Sequence, residues 1–83
     1  MQYPSNNCRL NEMSAGERGV IVKVEGEGEV HRRLLDMGAV RGAELTLLKV
    51  APLGDPLEIM LRGFHLSLRK KEAEMILVER ISA

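Results

Sequence analysis

Two short apolar runs, one on each side of Arg62-Gly63, constrain the fold of this chain more than any other feature. Leucine, isoleucine or phenylalanine occupies every second position from residue 57 to residue 61, and again from residue 64 to residue 68. This period of two predicts strands with one buried face, and a two-residue connection containing glycine is typical of a β-hairpin. We therefore predict a hairpin with a core face and a solvent face. The core face carries Leu57, Ile59, Leu61, Phe64, Leu66 and Leu68, and the solvent face carries Glu58, Met60, Arg62, His65 and Ser67.

Three further strands are predicted around this hairpin. The β-branched run from Val20 to Val24 is one, and the residues from Ile76 to Ile81 form the last. Between them, Leu45 to Val50 predicts a strand whose alternation slips at Leu47-Leu48, which indicates a β-bulge or burial on both faces. A type II turn is predicted over residues 40–43, because Gly42 can supply the positive φ that this turn requires.

Two short helical segments complete the prediction. Val30, Leu34 and Met37 share one face of a helix of about two turns, and Gly38 follows where a left-handed C-terminal cap is expected. A second helical turn is predicted over residues 69–75. The two glycines and three glutamates between Glu25 and Glu29 predict an acidic loop ahead of the first helix.

About five short strands and one or two short helices in 83 residues favour a mainly β fold, a small closed barrel of the SH3-like type. An open sheet would leave edges that need protection. Residues 10–83 are predicted to form this single domain. Residues 1–9 are polar and are predicted to be a loose N-terminal tail.

Composition narrows the range of functions. Lys and Arg number 12, and so do Asp and Glu, so the formal net charge is zero. Tyr3 and Phe64 are the only aromatic residues. Because binding of nucleic acids relies on basic and aromatic side chains, we expect no nucleic-acid partner. Cys8 has no second cysteine to pair with, which favours a reducing compartment. No signal peptide and no apolar run of membrane-spanning length is present, so we expect no direct membrane insertion.

No group of residues in the sequence predicts catalysis, a cofactor or a metal site. No nucleophile has a recognisable base beside it, and His31 and His65 lack the close Cys/His spacing of a zinc site, so both are expected to be surface histidines. Glutamates flank Gly26-Glu27-Gly28 and would repel phosphate, so this segment is not expected to bind a nucleotide. Cys8 is expected to be an unreactive bystander.

The candidate partner-binding residues lie in one loop and one basic segment. They are Pro52, Leu53, Gly54, Asp55, Pro56, Arg69 and Lys70. Prolines, glycine and aspartate fit a rigid turn, but a plain turn rarely selects a leucine, so Leu53 favours a docking loop. The basic residues around Arg69, like Arg32-Arg33, are either a solvated face balanced by glutamates or a patch for an acidic partner surface. The sequence leaves open whether the loop and the basic segment are neighbours.

The order of these segments resembles the FeoA family, small cytoplasmic proteins of bacterial ferrous iron uptake. The resemblance covers about residues 9–80 and rests on four segments. They are Leu34-Leu35-Asp36-Met37-Gly38, Arg41-Gly42-Ala43, the loop from Ala51 to Leu57, and the run from Leu66 to Ala73. Arg41 stands where the family often has proline, and the acidic segment at residues 26–29 is a further departure.

This resemblance implies an SH3-like barrel that is not an enzyme. The implied role is accessory: binding and modulation of the cytosolic part of FeoB, a membrane ferrous iron transporter with a GTPase domain. The protein would then be cytoplasmic, or peripheral at the inner membrane through that partner. Because related domains occur at the C-terminus of metal-dependent repressors, a metal-responsive regulatory domain is the alternative. Weak self-association is left open.

Overall fold

The computed structural model of this protein describes residues 7–81. Over that range the fold is mainly β, as predicted, with six strands in one antiparallel sheet. In chain order the elements are β1 (Asn7–Arg9), a 3₁₀ turn (Leu10–Glu12), β2 (Arg18–Val24), α1 (Gly28–Asp36), β3 (Glu44–Val50), β4 (Leu57–Leu61), β5 (Phe64–Leu68), α2 (Lys70–Ala73) and β6 (Ile76–Arg80).

The strand order is β1-β6-β2-β3-β4-β5, so the sheet ends at β1 and at β5. The expected full closure of the barrel was therefore wrong for the described residues, since these two end strands do not pair. The expected loose tail also requires correction at its end. Asn7, Cys8 and Arg9 pair with Glu79, Val78 and Leu77 of β6, and residues 1–6 lie outside the described residues.

The hairpin around Arg62-Gly63 is confirmed. Strands β4 and β5 pair in an uninterrupted register from Leu57 opposite Leu68 to Leu61 opposite Phe64. Arg62 and Gly63 have φ values of 51° and 89°, and two successive positive values are those of a type I′ turn, whose twist suits a hairpin.

The predicted core face of this hairpin was wrong at one residue. Phe64 is 69% exposed, whereas Leu57, Ile59, Leu61 and Leu68 are buried and Leu66 packs against the core. Phe64 belongs to an end strand and sits next to the turn, so no neighbouring strand covers it on one side. The predicted solvent face is free of buried residues.

The core is aliphatic and lies on one side of the sheet. Each fully buried side chain of this kind contributes about 1.5–3 kcal/mol. The largest fully buried side chains come from all strands except β1 and β5, from α1 and from the 3₁₀ turn: Leu10, Ile21, Leu34, Leu45, Leu47, Leu57, Ile59, Leu61, Ile76 and Val78.

The predicted irregularities of β3 and of its preceding turn are confirmed. The register between β3 and β4 shifts between Leu47 and Lys49, so Leu48 is the bulged residue and is exposed. In the turn, the Ala43 N–H donates to the Val40 carbonyl at 3.0 Å, and Gly42 has a φ of 90°. These features give Leu45 and Leu47 their buried positions without interrupting the strand.

Helix α1 ends at a glycine cap, as the sequence predicts. Gly38 has a φ of 100°, its N–H donates to Leu35, and the Ala39 N–H donates to Leu34, both at 3.0 Å. This pair of hydrogen bonds is a Schellman motif. It turns the chain so that Leu34 and Ala39 both enter the core.

We predict that Gly38→Ala destabilises the protein by about 1–2 kcal/mol, because an L residue is strained in the left-handed region. An added Cβ would meet its nearest side-chain atoms, in Arg62 and Leu61, only at 4.0 Å, so crowding contributes nothing. Urea unfolding measures the change. Gly38→Asn is the control and should cost less, because asparagine tolerates this conformation; equal costs for the two variants would contradict a purely conformational origin.

Candidate docking surface

The loop between β3 and β4 is held by its own backbone. The Ala51 N–H donates to the Pro56 carbonyl at 3.0 Å, and the Gly54 N–H donates to the Ala51 carbonyl at 2.7 Å, with Gly54 at a φ of 85°. Leu53 lies at the tip of this turn with 91% of its surface exposed. The loop therefore presents one large apolar side chain on a fixed backbone.

The structure brings this loop beside the basic segment, a question that the sequence left open. The Lys70 N–H donates to Oδ1 of Asp55 at 3.2 Å, so the loop contacts the start of α2. Arg69 and Lys70 are both exposed there. All seven predicted partner-binding residues thus belong to one continuous surface, which we call the docking surface: residues 52–56 with Arg69 and Lys70.

A buried carboxylate fixes the basic side of this surface. Glu72 is 6% exposed, and its Oε1 accepts from the Arg69 N–H at 2.8 Å. Its Oε2 forms an ion pair with the Arg33 guanidinium, which reaches across from α1. Arg33, Pro56, Arg69 and Glu72 line, with Ser67 and Leu68, a shallow groove of about 370 Å³.

The roles of Glu72 and Arg33 could not be predicted from the sequence, in which Arg33 belonged to a basic cluster that was either a solvated face or a partner patch, and Glu72 to the glutamates that balance its charge. The contact between them joins residues 39 positions apart, so no local pattern signals it. The available local signal was the position of Glu72 three residues after Arg69, a spacing at which a carboxylate can accept from the backbone at a helix start.

We predict that Glu72→Ala lowers the free energy of unfolding by about 1.5–3 kcal/mol, because it removes hydrogen bonds to a charged acceptor inside the protein. The exposed neighbour Glu74 provides the matched control, and Glu74→Ala should change stability by less than about 0.5 kcal/mol. Denaturant melts of both variants measure the difference. Similar values for the two would contradict a structural role for Glu72.

The remaining candidate groups are dispersed. His65 is exposed, as predicted, with Nε2 2.9 Å from Oε1 of Glu58, and His31 Nδ1 lies 3.4 Å from the Glu25 carbonyl oxygen. Cys8 is buried in β1, and this burial raises the pKa of its thiol. Between residues 7 and 81, no three His, Cys, Asp or Glu side chains lie close enough to hold a metal ion. No helix in the same range is long and apolar enough to cross a membrane.

The fold and this surface define a class of protein: a small β module of the SH3-like type that presents a rigid apolar loop beside a basic segment. The family model described as the FeoA domain matches residues 8–80. The chain belongs to the FeoA family, and the resemblance seen in the sequence is confirmed.

Two relatives support this assignment. The fusion protein of Fe(2+) transport protein A and Fe(2+) transporter FeoB from Porphyromonas gingivalis is 43% identical over 75 residues, which cover 90% of this chain and 9% of that protein. This chain therefore spans less than a tenth of that curated relative. The FeoA-like protein of Clostridium acetobutylicum is 40% identical, with a TM-score of 0.86 over 96% of this chain and 93% of the other.

A second solved structure shows the fold class. FeoA of Stenotrophomonas maltophilia, described as a prokaryotic SH3 domain protein in complex with zinc, has a TM-score of 0.76 at 27% identity, over 86% of this chain and 88% of the other. The mainly β, SH3-like class is thereby confirmed. A manganese-dependent transcriptional repressor has a TM-score of 0.85 at 14% identity over 95% of this chain and 44% of the other, a likeness that shows the fold alone.

Proposed function

We propose that this protein is a non-enzymatic accessory protein of ferrous iron uptake, which binds the cytosolic part of a FeoB-like transporter through the docking surface. Membership of the FeoA family supports the link to iron transport. The Porphyromonas gingivalis relative supports the choice of partner, because it joins an A protein and FeoB in one chain. Such a function takes the protein to the cytoplasmic face of the inner membrane through its partner, a transporter with a cytosolic GTPase domain.

The observation that carries the proposal is the exposure of Leu53. Leu53 is 91% exposed, so its side chain contributes little to folding. Burial of this side chain in a partner's pocket would contribute about 1.5–3 kcal/mol to binding. The turn hydrogen bonds at Ala51 and Gly54 hold the loop backbone before binding, so little ordering entropy is lost on association. A rigid apolar tip that enters a partner pocket is an effective interface anchor.

The basic side of the surface contributes differently. Arg69 and Lys70 are exposed beside the loop, while the Glu72 carboxylate compensates Arg33. Exposed rim charges act mainly on the rate of association and on its salt dependence. We therefore assign orientation and steering toward an acidic partner surface to Arg69 and Lys70, and most of the affinity to Leu53.

We predict that Leu53→Ala leaves the melting temperature nearly unchanged and weakens binding to the cytosolic region of the FeoB-like transporter by about thirtyfold or more, since an interface anchor contributes about 2 kcal/mol or more. Ferrous iron uptake in cells should fall in parallel. Biolayer interferometry with the immobilised transporter domain measures the affinity. Arg69→Gln with Lys70→Gln should instead slow association and flatten its salt dependence.

Phe64→Ala provides the matched control, since Phe64 is also exposed and apolar but lies at the opposite end of the β4–β5 hairpin. It should bind as the wild type does when the protein is present at nanomolar concentration. If Leu53→Ala unfolds, Leu53 is required for folding and the assignment of its role to binding alone is wrong. If it folds and binds normally, the loop is only a turn and the docking surface is elsewhere.

A further prediction separates this function from metal sensing. Because the described residues offer no cluster of metal-ligating side chains, we expect a chelator at constant ionic strength to leave the melting temperature unchanged. Added Fe²⁺ or Mn²⁺ should leave it unchanged as well. Differential scanning calorimetry checks both conditions. A rise of several degrees with either ion would favour the metal-responsive alternative.

A further inference from the structure

Strand β5 forms one end of the sheet, and its outer edge is unusually open to another strand. Its pairing with β4 runs without a bulge from residue 64 to residue 68. The strand, Phe-His-Leu-Ser-Leu, contains no lysine, arginine, acidic residue or proline. Natural end strands are usually protected by such residues or by bulges, because an unprotected edge pairs readily with a further strand.

The hairpin geometry identifies the free backbone groups. In a two-residue hairpin the residues flanking the turn form a hydrogen-bonded pair, and the pattern then alternates along the strands. Phe64, Leu66 and Leu68 therefore direct their N–H and C=O groups toward β4, whereas His65 and Ser67 direct theirs outward. Within residues 7–81, no turn or loop supplies a backbone partner to His65 or Ser67.

The side chains of β5 also favour a contact at this edge. Phe64 is 69% exposed and Leu66 is only partly buried, although both share the face of the buried Leu68. The opposite face carries the polar His65 and Ser67. An apolar strip and two unpaired backbone positions therefore lie side by side at one end of the sheet.

We infer that this edge pairs with the same edge of a second copy of this protein, as antiparallel strands related by a twofold axis at Leu66. Three features are compatible with a second copy. In this register His65 of each copy faces Ser67 of the other, and all four outward N–H groups and carbonyls at these positions in the two copies are satisfied. Phe64 lies across from Leu68 of the second copy and diagonal to its Leu66. Within residues 64–68 no charged residue meets a like charge of the second copy, and Arg62 lies across from the basic Lys70 only beyond the paired strands.

The dimer is weak and concentration-dependent. A contact of two five-residue strands with one exposed phenylalanine from each copy falls in the class of small interfaces below about 1,200 Å², which are transient. This inference does not depend on the proposed function, because it concerns a different partner, although Ser67 and Leu68 of β5 also line the groove beside the docking surface.

Sedimentation equilibrium of the full chain over a wide concentration range tests the dimer. We expect a monomer at low micromolar concentration and a growing dimer toward millimolar concentration. Ser67→Pro removes one outward N–H from each copy and leaves the bonds to β4 intact, as prolines in end strands can. It should weaken the dimer by about tenfold, whereas Ser67→Ala retains that N–H and should dimerise as the wild type does.

A second variant keeps the test decisive if Ser67→Pro fails to fold. Phe64→Lys changes an exposed side chain and places a protective charge on the edge, so it should fold normally and weaken the dimer. A protein that stays monomeric at millimolar concentration overturns the inference. A dimer that both folded edge variants leave unchanged also overturns it, because the contact must then lie elsewhere.

Cysteine cross-linking in a Cys8→Ser background tests the register. Leu66 faces itself in a non-hydrogen-bonded pair, where Cα atoms are about 4.5 Å apart and a disulfide can form. Leu66→Cys should therefore give a covalent dimer under mild oxidation. Ser67→Cys should not, because the two residues 67 are diagonal, at about 7–8 Å or more. Cross-linking at 67 but not at 66 would overturn the twofold register.

Discussion

The single aliphatic layer on the inner side of the sheet is the constraint on which the rest of this structure depends. A domain of this size retains only about 3–5 kcal/mol of stability, and truncating one buried leucine costs about 2–5 kcal/mol. A slip of one residue in any strand would expose that strand's contribution to the layer. The cap at Gly38 is therefore a structural requirement, because it directs Ala39 into the core, and the bulge takes Leu48 out of the alternation while Leu47 stays buried.

Because the free energy of unfolding is so small, the apolar residues that remain outside the core are informative. Leu53 and Phe64 are the most exposed large hydrophobic residues among those described. Neither adds much to folding in the monomer, and each sits on a backbone held by hydrogen bonds, Leu53 in a turn and Phe64 in a strand. Rigid placement lowers the entropy lost on association, so both positions suit contacts with other molecules better than flexible loops would.

Local chemistry allowed much of the fold to be predicted from the sequence. Alternation around Arg62-Gly63, the slip at Leu47-Leu48 and the positions of Gly38 and Gly42 each reflect a short-range backbone requirement that one residue type satisfies. Strand β1 was missed because three residues show no periodicity, and its pairing with β6 joins opposite ends of the chain.

The same distinction explains the error at Phe64 and what the sequence left open at the candidate site. Alternation assigns Phe64 to a face of its strand, but only the position of β5 at the end of the sheet decides whether that face is covered. The residue types of the loop predicted a rigid turn with an exposed leucine, yet its contact with α2 depends on the Asp55–Lys70 hydrogen bond across 15 residues. The ion pair of Arg33 with Glu72 spans a longer separation still. Such contacts are consequences of tertiary packing, which a single sequence does not encode in any local pattern.

The β4–β5 hairpin separates the two exposed apolar residues, Leu53 and Phe64. The pair Leu57–Leu68 lies next to the docking surface, and the pair Leu61–Phe64 lies at the far end beside the turn. Four residue steps at about 3.4 Å each separate these pairs by about 14 Å along the strands. Leu53 lies in the loop before β4, whereas the free edge of β5 runs along residues 64–68. Pairing of two β5 edges therefore leaves the tip of each docking loop uncovered, so a dimer would offer two such loops to its partners at once. A dimer of this kind would bind a transporter with paired cytosolic regions more tightly than its single contact would, because the second contact forms at a high effective concentration.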